Sequence, residues 1–520
     1  MQFKALGLAA SVAAIAIGLS SPTMAQRRAG PSLHVQCDGN PDNVSSGETA
    51  ARLLGAVTLL GLFAPPPEQR NQSARLHGAE GIRVCSDLLT RESNDVRRAQ
   101  LRLANALHHI EARDFEGAIG QARMVGSERP SLGSSRAFQL SLGLSAYEVE
   151  ARALLGMNRV RDAANKAMEM ADAAPYDLVA NLGAASYVAL TGEYGEAEQR
   201  FYARLMRLLP IAVVYRSNAR QMAGDFAGAA DDIDLFLTMA ESIVDEPPAA
   251  SIAQLALYRA LAGDTARAET HARAAREALD ADPTMTGAAA IGELLDLHQI
   301  LTSARGGNAA QARLLFTGRT RWTFAPSATL GAVARELRQN APEAELTGSL
   351  ARDPASFREE RLATMITRLR GPEPDSPEQQ AEAEGQARDG KSPASEQRLF
   401  NAIRPQMTER QLTDYAANTW RTERSRYFNR QTNERMQARF IDVSRNGFGS
   451  AAGYAMLLHS ALVAKAEGRS SFMFMPGRPS LTAQMVRFGE VGDNLPEPFA
   501  LNADQVIADL SPLIPRPQRR

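Results

Sequence analysis

The chain has 520 residues and a formal net charge of −1, with 44% hydrophobic and 22% charged residues. That length is enough for two or three domains. The balanced charge removes any bulk electrostatic argument for binding nucleic acid or an anionic membrane. Lysine occurs only at positions 4, 166, 391 and 465, so arginine carries nearly all the positive charge, a usage similar to that of proteins of GC-rich bacteria.

The chain opens with Lys4, an apolar stretch from Ala5 to Leu19 and the small-residue site Thr23-Met24-Ala25. A positive start, an apolar core and a cleavage site in that order predict a signal peptide over residues 1–25. The competing reading is a buried N-terminal helix. No cysteine follows the site, so a lipid anchor there is not expected. The mature protein is expected in the periplasm or secreted. Residues 26–92 read as an N-terminal cap region. Its apolar run from Leu53 to Phe63 stops at Pro65-Pro66-Pro67 and is too short to span a bilayer, so no transmembrane helix is expected in the mature chain. The 2 cysteines, Cys37 and Cys85, both fall in this region. After export an even count favours one disulfide over two buried thiols. Closing that loop stabilises by about 4 kcal/mol in the chain-entropy model.

Residues 93–318 carry a repeated signal. Six turns end in an alanine that opens another helical stretch: Ala112–Ala118, Asn158–Ala163, Gly192–Ala197, Gly224–Ala229, Gly263–Ala268 and Gly307–Ala312. Their spacing is roughly 32 to 45 residues, and its shorter values suit stacked helical hairpins. In the third unit, Val179, Leu182, Ala185 and Ala189 are expected on one helical face, and Ala197, Phe201, Leu205 and Leu208 on the inner face of the next helix.

The pattern resembles the tetratricopeptide repeat, which pairs small residues on both helices with a Gly-x-Tyr/Phe turn and a later proline. Ala106, Phe115, Ala118 and Pro130 match in the first unit, and Ala151, Ala163 and Pro175 in the second. Ala185, Gly192, Tyr194, Ala197, Phe201 and Pro210 match in the third, and Gly224, Phe226 and Ala229 in the fourth. Gly263 and Ala268 match in the fifth, and Gly307, Ala312 and Phe316 in the sixth. The family tryptophan is absent and Asn158 replaces a turn glycine. A generic Ala/Leu bundle is the plainer alternative. The expected fold class is all-α, a tetratricopeptide-like helical-repeat solenoid with a small C-terminal α/β unit. The resemblance implies that the first helices line a concave groove, which selects Glu148, Arg152, Ser186, Asn218 and Gln221 as binding residues.

Residues 319–370 read as a helical closing segment, with helical periodicity over Ala328–Leu337 and Phe357–Leu369. Prolines at 372, 374, 377 and 393 among polar residues mark 371–394 as a flexible linker. Residues 395–520 read as the small α/β domain, with strands over Met436–Val443 and Ser471–Met475 flanking an amphipathic helix from Tyr454 to Glu467.

Sites of chemistry are sparse. Gly447, Gly449 and Gly453 lie where backbone N–H groups could hold a phosphate, but the spacing is not the dinucleotide fingerprint and no Walker lysine follows. Of His108, His109 and Glu111, only His108 and Glu111 converge on one helix face, fewer ligands than a zinc site needs, and a solvated helix face is the preferred reading. Asp38-Gly-Asn-Pro-Asp42 fails as a calcium loop because Asn43 and Thr49 stand where glycine and glutamate are required. The arginines between Arg421 and Arg439 offer a basic face to a polyanion, diluted by Glu423 and Glu434, and read better as a solvated helix. No catalytic residue, metal or cofactor is assigned. The expected function is a non-catalytic protein–protein interaction scaffold of the bacterial cell envelope, without nucleic-acid partners. The alternatives are an envelope-maintenance module binding glycan or lipid through the C-terminal unit, and a phosphate-ligand enzyme at Gly447–Gly453.

Overall fold

A computed structural model of the chain describes residues 31–41, 70–127, 135–241, 248–319, 322–325, 327–340, 399–422, 438–443, 451–475, 483–492 and 495–517. The expected leader, the apolar run 53–63, the helix over 357–369, the linker 371–394 and glycines 447 and 449 lie outside the described residues.

The described chain is mostly helical with one small sheet. The cap region holds α1 (Leu33–Asp38) and α2 (Gly78–Leu89). Then follow α3 (Asp95–Glu111), α4 (Phe115–Arg123), α5 (Leu144–Gly156, entered through Arg136–Phe138 and a π-turn at Gln139–Gly143) and α6 (Val160–Ala173). Next come α7 (Leu178–Thr191), α8 (Glu196–Leu208), α9 (Ala212–Met222) and α10 (Phe226–Glu241). The run ends with α11 (Ala249–Leu261), α12 (Thr265–Ala281), α13 (Ala288–Arg305), α14 (Ala309–Gly318) and α15 (Ser327–Asn340). From α2 through α14 each helix packs on the next in chain order. α15 crosses back onto α9 and α13.

One turn recurs. Arg113, Asn158, Gly192, Gly224, Gly263 and Gly307 all take positive φ, between 61° and 86°. In five of them, Gly192 excepted, the following N–H reaches a carbonyl five residues back, and the left-handed residue's own N–H reaches one three residues back. That is the Schellman closure, which satisfies carbonyls that a helix end would leave bare. At four of these turns an Asp or Asn then caps the next helix: Asp114, Asp225, Asp264 and Asn308 accept from the backbone N–H groups of Gly117, Gly228, Arg267 and Gln311. The next helix therefore starts in a fixed register. Ala118, Ala163, Ala229, Ala268 and Ala312 land fully buried, where a small side chain lets two helix axes approach.

The third unit departs from this pattern. After Gly192 the helix starts late, at Glu196, with the Glu198 carboxylate accepting from the Gly195 N–H at 2.9 Å. Ala197 is consequently exposed, while Phe201, Leu205 and Leu208 are buried as expected. On α7 the buried face is Ala180, Ala184 and Val188, and Val179 is 52% exposed. The expected face through Val179 and Leu182 is turned outward by about one residue's rotation.

The C-terminal part contains α16 (Glu409–Thr419), β1 (Ala438–Asp442), α17 (Ala451–Ala466), β2 (Ser471–Phe474), β3 (Ala483–Gly489), β4 (Leu501–Asn502) and α18 (Ala503–Leu510). The sheet is antiparallel in the order β1-β3-β2-β4, with Phe440 opposite Met485 and Phe472 opposite Phe488. β1 and β2, which flank α17 in sequence, do not pair, because β3 is inserted between them. α17 is not amphipathic. Tyr454, Leu457, Leu458, Ala461 and Val463 are all buried, since the helix is enclosed by the strands, α16 and α18.

A single apolar core joins α3–α9 to Leu399, Met407, α16, α17 and the sheet, and a second core spans α11–α15. The disulfide Cys37–Cys85 ties α1 to α2 with Cα atoms 5.1 Å apart. Two outcomes follow. Gly263→Ala, with open space around its added Cβ, destabilises by about 1 kcal/mol through backbone strain alone, and Arg113→Gly does not destabilise, as urea denaturation will read. Replacing both Cys37 and Cys85 by Ser lowers stability by about 4 kcal/mol in the same assay.

Candidate functional site

The expected binding residues sit on the first helices of their pairs. Glu148 and Arg152 are on α5, Ser186 on α7, and Asn218 and Gln221 on α9. Glu148 and Arg152 are one turn apart and bond to each other at 2.8 Å. Tyr187 of α7 donates to the same Glu148 oxygen at 3.1 Å. Burial works against the Arg152 charge, but Glu148 and Tyr187 more than offset it and raise its pKa. Burial beside Glu148 pushes the Tyr187 phenol well up. Gln221 is buried and accepts from the Thr329 hydroxyl of α15 at 2.8 Å. Ser186 and Asn218 are exposed. The structure thus joins Glu148 to Arg152, gives Gln221 to α15, and leaves Ser186 and Asn218 facing solvent.

The chain's own segment 399–404 lies over the first two of these helices. Arg152 Nη1 donates to the Leu399 carbonyl at 3.3 Å, and the Arg404 N–H donates to Ser145 Oγ at 2.9 Å. The Arg404 guanidinium reaches Asp177 at 3.1 Å. Asp177 caps α7 through the Ala180 N–H and also accepts from the Tyr454 hydroxyl at 3.4 Å. A carboxylate at a helix start is favoured by the helix dipole, so Asp177 is a prepared partner for a cation. Within the segment, Ala402 and Ile403 donate back to the Leu399 and Phe400 carbonyls, which makes a compact turn. Pro405 then holds Arg404 extended.

The Phe400 ring enters a polar pocket built by the cap and α3. The Arg75 guanidinium stacks 3.4 Å from the ring centroid, and the His108 ring lies 5.2 Å away. His108 is fully buried, so the solvated face expected for it is wrong. Its Nε2 donates to the Cys37 carbonyl and its Nδ1 faces Glu111, both at 2.7 Å. Glu111 also accepts from the Gly78 N–H at 3.0 Å and lies 3.4 Å from His77 Nδ1. Burial raises the Glu111 pKa, but hydrogen bonds and charge from His108 and His77 outweigh it and hold the carboxyl far below its usual range. Nearby, Arg97 forks onto Asp38 at 2.5 and 3.0 Å, both buried. A Cβ on Gly81 would sit 2.4 Å from His108 Nδ1, so that glycine admits the imidazole. Asp38 and His108 thus belong to a buried structural network. Among the described residues no group of three or more metal-ligating side chains converges. Gly453 lies within α17. No described helix is long and apolar enough to cross a membrane.

The spacing of His108 and Glu111 pointed only to a helix face, and Arg75, Ser145, Asp177 and Arg404 carried no motif that would single them out. Their partners are distant in sequence, up to 259 residues apart for Ser145. No family model, curated protein or solved structure matches the chain.

Glu111→Gln should cost about 2 kcal/mol at neutral pH, as expected for a charge-assisted buried bond. A depressed carboxylate pKa stabilises fully above the unfolded value of about 4.3 and loses that contribution as pH falls below it. The gap between wild type and variant should therefore narrow below about pH 4.3, read by urea denaturation across pH.

Proposed function

We propose that the protein is a non-catalytic interaction scaffold of the bacterial cell envelope, built on tetratricopeptide-like hairpins whose first helices form a peptide-holding concave face. The observation that carries this reading is the seating of residues 399–404. There, Arg152 and Ser145 satisfy main-chain groups of a turn segment, while Asp177 and the Arg75–His108 pocket take its side chains. Side chains that bond to backbone hold a segment whatever its sequence, and pockets add selectivity. The recurrent Schellman turn and the buried alanines support the repeat reading. The disulfide suits an oxidising compartment.

The face is covered at two places, by residues 399–404 over α3, α5 and the start of α7 and by α15 over α9. Ser186 and Asn218 remain exposed between them, accompanied by Val179 at 52% and Tyr215 at 43% exposure. That combination of apolar and amide groups suits a protein partner.

Photo-crosslinkers at Ser186 and Asn218 in living cells should capture a defined envelope protein, whereas crosslinkers at Arg200 and Arg273 on the second helices should not. Capture only at the second-helix positions would overturn the groove reading.

A further inference from the structure

We propose that the protein holds a dipeptide with free ends in the cavity between α8 and the segment from Glu497 to Val506. The site stands apart from the scaffold reading, because neither Ser186 nor Asn218 lines that cavity.

The cavity exists because a polar pillar fixes the separation of the two sides of the seam. Tyr176, in the turn before α7, donates its hydroxyl to Asp509 Oδ2 at 2.7 Å, and Gln505 Nε2 donates to the other oxygen of that carboxylate at 2.9 Å. Burial and the Asp509 charge push the Tyr176 phenol up, so the hydroxyl keeps its proton and remains the donor. Tyr176 is shared by two cavities, of about 530 and 420 Å³. Both have the size of ligand pockets, which favour junctions between structural units.

The 420 Å³ cavity carries two opposite charges without partners. Arg207 stands in the last turn of α8. Glu497 opens the 3-10 turn Glu497–Phe499, which packs against α8 and is anchored by the fully buried Phe499. Both side chains are exposed, and among the described residues neither has a hydrogen bond or an ion pair, so they do not neutralise each other. The other guanidinium of the wall, Arg204, is already committed to Asn181 at 3.0 Å and Asp172 at 2.5 Å. The first turn of α18 adds one donor and one acceptor. Asn502 uses its Oδ1 on the Gln505 N–H, which leaves its Nδ2 to donate. Gln505 uses its Nε2 on Asp509, which leaves its Oε1 to accept. Buried Leu208 and Val506, with Val491 at 46% exposure, give the wall an apolar part.

A ligand that answers these four groups has a carboxylate for Arg207, an ammonium for Glu497 and one peptide group. The peptide carbonyl accepts from Asn502 and the peptide N–H donates to Gln505. The smallest molecule with all three is a dipeptide, and the apolar wall suits an aliphatic side chain. Bonds in which one partner is ionised are the strong ones, so both free ends are required.

Titration calorimetry on the full chain with alanyl-leucine tests the site. Saturable binding with Kd below about 1 mM is expected. Acetylating the amino end or amidating the carboxyl end should each weaken binding about tenfold, the effect of losing one charge-assisted bond. In Glu497→Gln the acetylated and free dipeptides should bind alike, and in Arg207→Gln the amidated and free dipeptides should. Both side chains are exposed, so either variant keeps the wild-type circular dichroism and Tm. Absence of saturation at about 10 mM overturns the proposal. So do equal affinity for free and blocked dipeptides, end-blocking losses that persist in both variants, or equal affinity for leucine alone. A negative titration with partner capture intact at Ser186 and Asn218 removes this site and leaves the scaffold standing, and dipeptide binding without capture does the reverse.

Discussion

The helical body depends on one backbone constraint, the left-handed residue that closes each hairpin. Its cost is steric for any side chain beyond glycine, yet Arg113 and Asn158 accept it. They do so because the closure satisfies two carbonyls and sets the start of the following helix. Once that start is set, the fifth residue after the turn falls against the preceding helix, and only a small side chain fits. Gly156 shows how tight the resulting contacts are: a Cβ there would lie 2.3 Å from the Phe115 ring. A local dihedral choice is thereby converted into helix–helix distance.

The polar network follows from that packing. Helices brought close enough to bury Ala99, Leu103 and Ala106 also bury Arg97 and His108 on the neighbouring faces of α3. Buried charges persist only when paired. Asp38 and the Cys37 carbonyl supply partners from the cap and Glu111 supplies one from the end of α3 itself, so the disulfide region completes the first hairpins electrostatically as well as covering them. Because Phe400 sits on Arg75 and His108, the same network also holds the C-terminal segment.

Much of the body was legible in local signals. The six turns and the two strands around α17 were visible, because turn chemistry and alternation are written in neighbouring residues. What was not legible depended on distance or on a small shift of phase. Ala197 matched the repeat pattern, but Gly195 and Glu198 delay the helix start and turn that alanine outward. β3 escaped because Gln484 and Arg487 dilute the alternation that marks a strand, and β4 because its 2 residues are too few to show one. Arg152 was chosen from its repeat position, yet its bond to the Leu399 carbonyl spans 247 residues, which no window-based reading can supply. Asp177 caps α7 and is also the acceptor for Arg404, 227 residues further on.

The meeting of Tyr176 with Asp509, 333 residues apart, bears on how the chain matures. Synthesis releases residues in order, so the aromatic, guanidinium and carboxylate groups of the early helices stay wet until the last quarter arrives. A chain cut short before Leu399 lacks the C-terminal side of the core that α3–α9 share with it and leaves a polar seat with nothing in it. Such a product differs from the finished molecule at one surface, which gives folding helpers and proteases a way to tell the two apart.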